Sequence, residues 1–329
     1  MNEEDIRPEA LLRENATLQT LDVKDLLAES QSFVRVSCPA CQSEADTPAF
    51  TKEGFTFSLC QSCETLYVNP RPTKAMLGHY YSTSRSFKHW NDRIFPATEL
   101  SRRTEIFAPR AAKVAALVEK HGASFDTLVD AGAGFGTFCE EIKKLNCFDR
   151  IIAVEPSLDL AESCAKRGVE VIPKPIEDAQ INGVSVITNF ELIEHLFEPK
   201  DFLLSCAEVL PSNGLLILTT PNIKGFDLQM LQALSENISA PNHLNYFHPE
   251  SLARLVESCG FEVIETLTPG KLDAELVRKK ALTHQLDLSE HPFLKQILLE
   301  RWDEVGPSFQ EFLADNLLSS HLWLVARKC

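Results

Sequence analysis

The chain has 329 residues, of which 44% are hydrophobic and 24% charged, a composition typical of a globular protein with one large α/β domain and a smaller module. No apolar run approaches the roughly 20 residues needed to span a bilayer, and the N-terminus is acidic, so the sequence predicts a cytoplasmic protein with reduced cysteines. The formal net charge of -15 disfavours non-specific binding to a phosphate backbone.

Residues 1–32 are predicted to form an N-terminal helical arm. Between residues 8 and 30, leucines and a valine recur among acidic residues. This pattern indicates one or two short amphipathic helices, with a frayed arm as the alternative.

Residues 33–70 contain two cysteine pairs. Cys38 and Cys41 are followed, after 18 residues, by Cys60 and Cys63. This spacing is typical of a zinc ribbon, in which two thiolate pairs complete a tetrahedral structural site, and unligated thiols are the alternative. Glycines that often follow such pairs are replaced here by Gln42 and Glu64. Strand-like flanks at 33–36, 54–59 and 65–68 fit the ribbon.

Residues 71–122 are predicted to form a basic helical connector. Between residues 71 and 113, nine lysines and arginines stand against three acidic residues, with aromatic side chains between them. Guanidinium groups pair well with phosphate, so we expect this surface to suit a small anionic substrate. A solvated connector is the alternative. A helix is predicted from about 99 to 119, with a bend at Pro109.

A strand at residues 128–131 leads into a loop with three alternating glycines, Gly132, Gly134 and Gly136, and then into a helix. Glycines let the backbone approach a ligand closely, and the helix directs its free N–H groups toward that ligand. The next strand ends in Glu155, where a carboxylate can bind both hydroxyls of a ribose. The glycine spacing differs from the G-x-G-x-x-G of a dinucleotide fold and disfavours NAD. An ordinary tight turn with a solvated glutamate is the alternative.

The remaining chain continues the alternation of strands and helices that predicts a doubly wound sheet. The fourth strand of the domain should end near Asn189, at the edge where such sheets bind ligands. Predicted strands lie at 169–172, 183–188, 214–220, 261–264 and 321–326, and predicted helices at 158–167, 201–210 and 249–258. Residues 266–320 form a helical insertion with helices at 272–283, 292–305 and 309–317. It should either cap the active site or cover the edge of the sheet.

The glycine loop with Asp130, followed by Glu155, resembles motifs I and II of the class I S-adenosylmethionine-dependent methyltransferases. The resemblance covers residues 123–329, including the segments 191–199 and 243–249. With the cysteine ribbon and the sequence Asn69-Pro70-Arg71-Pro72, the chain is similar to a bacterial group of zinc-ribbon methyltransferases of polysaccharide or natural-product pathways. The resemblance implies a Rossmann-like, doubly wound α/β fold whose seven-stranded sheet has an antiparallel last strand.

The resemblance also implies the residues that bind S-adenosylmethionine. The glycine loop surrounds the methionine part, Glu155 binds the ribose, and the end of the fourth strand lies beside the sulfonium. Ile176, Glu177 or Asp178 would border the adenine. The implied cofactor residues are Asp130, Gly132, Gly134, Gly136, Glu155, Asn189 and Phe190.

The expected acceptor is a small anionic molecule, such as a nucleotide-linked sugar or a glycan precursor, methylated at oxygen or carbon. His195, His243 and His248 all follow strand ends that should face the cofactor, so one of them is expected to act as a base. We favour His195 over His243, with Glu194 orienting or replacing it. The alternatives are an RNA methyltransferase, which the acidic charge disfavours, and a non-catalytic protein that binds a partner.

Overall fold

The computed structural model describes residues 3–329. The strands in this range are β1 (Asp46–Lys52), β2 (Phe55–Cys60), β3 (Leu66–Val68), β4 (Thr127–Ala131), β5 (Arg150–Val154), β6 (Glu170–Ile172), β7 (Val186–Phe190), β8 (Leu215–Pro221), β9 (Asn245–Tyr246), β10 (Phe261–Leu267) and β11 (His321–Lys328). The α-helices are α1 (Glu3–Ile6), α2 (Glu9–Leu27), α3 (Lys74–Thr83), α4 (Arg85–His89), α5 (Phe95–Arg102), α6 (Ala108–Lys120), α7 (Thr137–Lys144), α8 (Leu158–Lys166), α9 (Pro199–Val209), α10 (Phe226–Leu231), α11 (Pro249–Glu257), α12 (Asp273–Leu282), α13 (Pro292–Lys295) and α14 (Trp302–Asp315).

The larger sheet has seven strands in the order β10-β11-β8-β7-β4-β5-β6. Strands β6, β5, β4, β7 and β8 pair in parallel, whereas β11 is antiparallel to both β8 and β10. Every residue of β4 and of β8 is buried, as expected for strands covered by helices on both faces. The predicted Rossmann-like fold with an antiparallel last strand is confirmed.

The boundary of β7 differs from the sequence prediction. The predicted strand covers residues 183–188, but the observed strand is Val186–Phe190. Gly183 has a φ of +72°, which is incompatible with an extended strand, so the strand begins only after this residue. Asn189 and Phe190 are therefore the last two residues of the strand, at the carboxyl edge of the sheet.

The smaller sheet has the order β1-β2-β3-β9, and the two cysteine pairs lie before β1 and around the turn from β2 to β3. Its fourth strand, Asn245–Tyr246, comes from the far end of the chain and pairs with Leu66 and Tyr67. The predicted strand at 33–36 is wrong, because Val34 forms a single bridge to Arg71. The sequence prediction also missed β1, an exposed edge strand with a proline and few apolar residues.

Arg71 connects the smaller sheet to the larger domain. Its side chain is fully buried, and its guanidinium donates hydrogen bonds to Val68 O (3.1 Å), Phe197 O (3.3 Å) and Asn245 Oδ1 (3.1 Å). Burial lowers the pKa of Arg71 to about 10. The rings of Tyr67 and Phe197 lie within 6 Å of the guanidinium carbon. Arg71 therefore has a structural role and does not belong to an exposed basic surface.

The N-terminal arm contains one 19-residue helix, α2, after the short α1. Asp22 of α2 accepts hydrogen bonds from the hydroxyls of Ser84 and Ser86, and Arg85 pairs with both Asp22 and Asp25. These contacts hold the arm against the connector. The connector continues through α4, α5 and α6, which are joined by π-helical turns at Trp90–Ile94 and Arg103–Phe107.

The insertion at 266–320 packs its helices against α10. Its core includes Leu231 of α10 together with Val277, Leu298 and Leu313. The predicted break between 305 and 309 is wrong: the helix break falls at Arg301, after the π-helical turn Gln296–Glu300, and α14 continues through Pro307. Proline has a φ compatible with a helix but no N–H, so α14 continues past Pro307 without the hydrogen bond that this N–H would donate. The division of the chain at residues 32, 70 and 122 stays a prediction.

Across residues 3–329, no helix combines the length and the apolar character required to cross a bilayer. The compartment in which the protein works stays a prediction.

We expect Arg71→Ala to lower the free energy of unfolding by about 3 kcal/mol or more, because it leaves buried acceptors on three segments without a donor. Arg71→Lys should recover little of this loss, since an ammonium cannot reproduce the planar fork. The measurement is urea unfolding. Arg35→Ala is the matched control, because Arg35 is 66% exposed and its buried partner Asp46 keeps a hydrogen bond from the Asn69 amide, so we expect a smaller loss of about 1 kcal/mol. Equal losses in Arg71→Ala and Arg35→Ala would contradict the structural role of Arg71.

Candidate active site

The loop between β4 and α7 contains three glycines with left-handed backbone conformations. The φ angles are +77° at Gly132, +56° at Gly134 and +73° at Gly136. A Cβ on Gly132 would lie 2.8 Å from the Leu192 side chain, and one on Gly136 would lie 2.8 Å from Cys164 Sγ. A Cβ on Gly134 would meet no described heavy atom within 4 Å. Gly134 therefore borders open space, whereas the other two glycines allow the loop to pack closely.

Glu155 follows β5 and lies against this loop. Its carboxylate oxygens accept hydrogen bonds from the backbone N–H of Gly134 (2.8 Å) and of Ser157 (2.9 Å). Burial raises the pKa of Glu155, and these two hydrogen bonds oppose that effect by favouring the ionised form. The carboxylate is thus fixed at the tip of β5, beside the open space at Gly134.

Asp130 lies inside the protein between the sheet and α7. The Thr188 hydroxyl donates to one carboxylate oxygen at 2.7 Å, and the Cys139 thiol lies 3.6 Å from the other. Burial raises the pKa of Asp130 to about 7. These contacts give Asp130 a positioning role, because they join β4 to β7 and α7 at the base of the glycine loop.

Asn189 and Phe190 end β7 next to the glycine loop. The Asn189 amide donates to Ala131 O at 3.1 Å, and its buried Oδ1 has no hydrogen-bond partner among the described residues. Phe190 packs edge-on against Phe138, and the Arg110 guanidinium carbon lies 4.4 Å from the centre of its ring. Asn189 thus offers a buried acceptor, and Phe190 extends the site toward Arg110.

The connector packs along the outer side of the glycine loop. Phe95 of α5 stacks on Phe135 of the loop with ring centres 3.7 Å apart and planes 4° apart. Arg167 donates to Phe135 O at 2.7 Å and also pairs with Glu99 (2.7 Å) and Glu140 (2.9 Å). This network holds the loop between the connector and α8.

Residues Ile176, Glu177 and Asp178 form a 3-10 turn after β6. Ile176 is buried, and the two acidic residues are exposed. Their position beyond the third parallel strand is compatible with the expected border of a nucleobase pocket.

A cavity of about 410 Å³ lies between α6, the start of the insertion and β11. Its walls include three cations, Arg110, Lys113 and Lys271, and one acidic residue of α12, Asp273. The Asp273 carboxylate is already bound by Ser319 Oγ and by the Ser320 N–H. Two further lining residues, His321 and Trp323, are joined by a hydrogen bond of 2.9 Å from the indole N–H to the imidazole. The three lining cations outnumber the two acidic lining residues, Asp273 and Glu105, so the cavity combines a positive balance of charge with an aromatic wall.

Most other cations of the connector are already paired. Arg85 binds two aspartates of α2, Lys88 pairs with Asp92, and Arg103 binds Glu99, Glu140 and Glu141. The expected basic aromatic surface along residues 71–113 is therefore too broad. The positive charge directed at a cavity comes from Arg110 and Lys113, one turn apart on α6.

His195 and His243 lie together, with ring centres 4.7 Å apart and planes at 80°. Nδ1 of His195 lies 2.6 Å from Asn242 O, and Nδ1 of His243 lies 2.9 Å from Asn237 O. A carbonyl oxygen can only accept, so each Nδ1 carries the proton and Nε2 holds the lone pair in the neutral ring. Burial lowers the pKa of both histidines, to about 3 for His243.

Glu194 lies beside these two rings and is fully buried. One carboxylate oxygen accepts a hydrogen bond from the Thr220 hydroxyl at 2.9 Å, and the other has no hydrogen-bond partner among the described side chains and backbone. Burial and the neighbouring Glu191 carboxylate raise the pKa of Glu194 well above its usual value. Glu191 accepts from Thr219 and lies 3.6 Å from Nδ1 of His321, which lines the cavity.

The expectation that His248 joins the other two histidines is wrong. Its Nε2 lies 2.7 Å from Cys63 O, and its side chain is buried against the smaller sheet. The reason is the pairing of Asn245–Tyr246 with β3, which turns the following residues toward the cysteine pairs.

The four cysteines Cys38, Cys41, Cys60 and Cys63 form one cluster, with their sulfur atoms within 4.8 Å of one another. The Sγ distances Cys38 to Cys63 and Cys41 to Cys60 are both 3.5 Å. A disulfide requires about 2 Å, whereas a tetrahedral zinc with Zn–S bonds of about 2.3 Å places its sulfurs about 3.8 Å apart. The cluster thus has the size that a zinc ion requires.

The two cysteine turns have the same backbone hydrogen bonds. Gln42 N–H donates to Cys38 O and Glu64 N–H to Cys60 O, and φ is +61° at Gln42 and +58° at Glu64. These are the two positions at which the sequence lacks the usual glycine. The turns keep the required conformation without it.

Sequence reasoning included Arg110 and Lys113 only as members of the basic stretch 71–113, and it did not identify His321 and Trp323 as site residues. The spacing of three between Arg110 and Lys113 places both on one face of α6, and the spacing of two between His321 and Trp323 places both on one face of β11. Both signals were present, but the packing of α6 beside β11 depends on tertiary structure.

A model of the family described as "Methyltransferase domain" matches residues 98–266, which is more than half of the chain. Among curated proteins, the chain is 34% identical over 93 residues to a probable S-adenosylmethionine-dependent methyltransferase of Mycolicibacterium smegmatis, covering 28% of this chain and 33% of that protein. It is 24% identical over 155 residues to the mitochondrial ubiquinone biosynthesis O-methyltransferase of Schizosaccharomyces pombe, covering 43% and 53%. The chain thus spans about half or less of the length of these relatives.

Among solved structures, the chain is similar to an S-adenosylmethionine-dependent methyltransferase from Clostridium acetobutylicum. The TM-score is 0.47 at 9% identity, and the alignment covers 73% of this chain and 98% of the other.

Proposed function

Because the chain belongs to the methyltransferase-domain family, we propose that it transfers a methyl group from S-adenosylmethionine to a small acceptor molecule. The observation that carries this proposal is the open space at Gly134 beside the fixed carboxylate of Glu155. A carboxylate at the tip of the second strand is suited to the two hydroxyls of a ribose.

S-adenosylmethionine supplies a methyl group on a sulfonium, and S-adenosylhomocysteine remains after transfer. In this proposal Glu155 accepts hydrogen bonds from the ribose, and Gly134 lets the loop backbone approach the cofactor. Asn189 contributes its unpartnered Oδ1 near the sulfonium end, next to Phe190. Ile176 borders the adenine, with Glu177 or Asp178 at its rim.

The acceptor in this proposal is a small anionic molecule, most simply a nucleotide-linked sugar or glycan precursor of a polysaccharide or natural-product pathway. The support is the cavity beside Phe190, where Arg110 and Lys113 offer positive charge and Trp323 offers a flat apolar surface. A guanidinium binds a diphosphate through paired hydrogen bonds, and an aromatic ring packs against a sugar or a base. We propose oxygen or carbon as the methylated atom on the basis of the resemblance to the zinc-ribbon methyltransferases.

Methyl transfer forms a bond from the acceptor atom to the methyl carbon, breaks the carbon–sulfur bond and requires the acceptor to lose a proton. We assign the removal of this proton to the cluster of Glu194, His195 and His243. Nε2 of His195 can accept a proton, because its Nδ1–H is fixed by Asn242 O. His243 is the second candidate, and Glu194 orients the pair.

We also propose that the four-cysteine cluster binds one zinc ion with a structural role. Four thiolates complete the tetrahedral coordination of zinc, so no position remains for a substrate. The ion would hold the two cysteine turns together at the end of the smaller sheet.

Removal of the Glu155 carboxylate should weaken cofactor binding by about ten- to a hundredfold, because hydrogen bonds to a charged group contribute roughly 1.5 to 3 kcal/mol. We expect this loss in Glu155→Ala, and a comparable loss in Gly134→Val, whose side chain fills the open space. Calorimetric titration with S-adenosylmethionine and S-adenosylhomocysteine measures both. Glu162→Ala is the control, because Glu162 is exposed on α8 and pairs with Lys166. Unchanged affinity in both test variants, or no binding by the unmodified protein, would refute the cofactor assignment.

Metal analysis of protein purified without chelator should find about one zinc per chain. Cys60→Ser should lose most of this zinc and unfold at a lower urea concentration, because zinc binding contributes to folding. Cys147→Ser is the control, since Cys147 lies outside the cluster. Absence of zinc from the unmodified protein, with four freely titratable thiols, would contradict the proposal.

Binding of UDP-, dTDP- and GDP-linked sugars, measured by calorimetry with S-adenosylhomocysteine present, tests the acceptor class. We expect at least one to bind, and Arg110→Gln to weaken it about tenfold or more through the loss of charge-assisted hydrogen bonds. Lys88→Gln is the control, because Lys88 is exposed and pairs with Asp92, and neither residue lines the cavity. Failure of every nucleotide sugar to bind would exclude this acceptor class. So would an Arg110→Gln variant that binds the nucleotide sugar as tightly as the unmodified protein does, with its cofactor affinity unchanged.

A further inference from the structure

One carboxylate and two imidazole rings converge at Glu194, His195 and His243. A carboxylate oxygen of Glu194 and a ring nitrogen of each histidine all lie within 4.8 Å of one another. One oxygen of Glu194, which is 0% exposed, has no hydrogen-bond partner within the described part of the chain. A buried oxygen without a donor is costly, so this arrangement requires a cation or a shared proton.

Both histidines are oriented in the way that metal ligands usually are. Each ring donates its Nδ1–H to a backbone carbonyl, that of Asn242 for His195 and that of Asn237 for His243. Such an outer hydrogen bond fixes the tautomer and leaves Nε2 as the ligand atom. Arg7 bonds to Asn237 Oδ1 at 3.1 Å and helps to hold the second of these carbonyl groups in place.

The carboxylates of Glu191 and Glu194 are close neighbours, and Glu191 also lies near His195. The Thr219 and Thr220 hydroxyls each donate to one of them, at 2.6 and 2.9 Å. The Arg110 guanidinium also attracts both carboxylates, and a divalent cation bound directly to Glu194 would compensate their charge further. Glu191 is partly exposed and directed toward His321 of the cavity, so a cation here would lie next to the acceptor site.

We propose that Glu194, His195 and His243 bind a divalent first-row transition-metal ion. A set of imidazole and carboxylate ligands without thiolate suits manganese, iron, cobalt or zinc in the divalent state. This site is separate from the four-cysteine cluster, which selects zinc as a structural ion.

The role of the ion rests on the proposed function. An acceptor hydroxyl bound to the ion would lose its proton to solvent more readily, because a divalent cation lowers the pKa of a ligated hydroxyl group. The oxygen would then form its bond to the methyl carbon as the carbon–sulfur bond breaks. The cluster would then remove the acceptor proton through the ion that His195 and His243 hold, in place of direct transfer to His195 Nε2.

The test uses the full chain with Mn²⁺ as the probe, because thiolates are poor ligands for manganese and the cysteine cluster should not compete. Titration followed by electron paramagnetic resonance should show about one Mn²⁺ bound per chain, with spin-echo modulation from imidazole nitrogen. Glu194→Gln and His195→Gln should each weaken binding at least tenfold. His121→Gln is the control, because His121 pairs with Glu265 away from this cluster.

Calorimetry with S-adenosylhomocysteine identifies variants that remain folded, and it tests the proposed function separately from the metal site. Nitrogen modulation in the unmodified protein supports the site even if a variant does not fold. The proposal is overturned if the unmodified protein binds no Mn²⁺ at millimolar concentration, if no nitrogen modulation accompanies binding, or if folded Glu194→Gln and His195→Gln bind Mn²⁺ as tightly as His121→Gln.

Discussion

The buried guanidinium of Arg71 is the interaction on which the arrangement of the site depends. A desolvated guanidinium is stable only where several acceptors meet it, and here they come from the end of β3, the segment after β7 and the start of β9. His195 belongs to the second of these segments, and His243 immediately precedes the third. The distance between the two rings is therefore set in part by a residue that belongs to neither loop.

The cofactor side of the site is held by a different kind of contact. The glycine loop is fixed by Asp130 beneath it, by Glu155 beside it and by the stacked rings of Phe95 and Phe135 on its outer side. Partly buried ion pairs around Arg167 join the connector to α8. The connector thus has two roles in the fold. Its ion pairs, such as those of Arg103, hold it against the domain, and Arg110 and Lys113 of α6 line the cavity.

The sequence predicted the sheet well, because buried parallel strands produce continuous apolar runs and the glycine loop has an unambiguous spacing. It also located Glu155 and the two cysteine pairs, whose positions follow from local motifs. It did not predict that β9 would join the smaller sheet or that His248 would face Cys63, because a two-residue strand has no periodicity to detect. Arg71 was assigned to an exposed surface because the sequence does not distinguish a buried arginine from a solvated one. The cavity residues could not be identified from the sequence, because α6 and β11 come together only in the folded chain.

The pairing of β9 with β3 has a consequence for the order in which the molecule assembles. The two cysteine turns are complete by residue 63, but the edge of β3 remains unpaired until Asn245–Tyr246 reaches it, more than 170 residues later. Contacts between such distant segments form slowly, because the intervening chain must first be ordered. During synthesis the smaller sheet therefore keeps an unpaired edge at β3, to which strands of other chains can pair. Pairing of β9 with β3 and the placement of His243 occur in the same late step, so His195 and His243 come together only when folding is nearly complete.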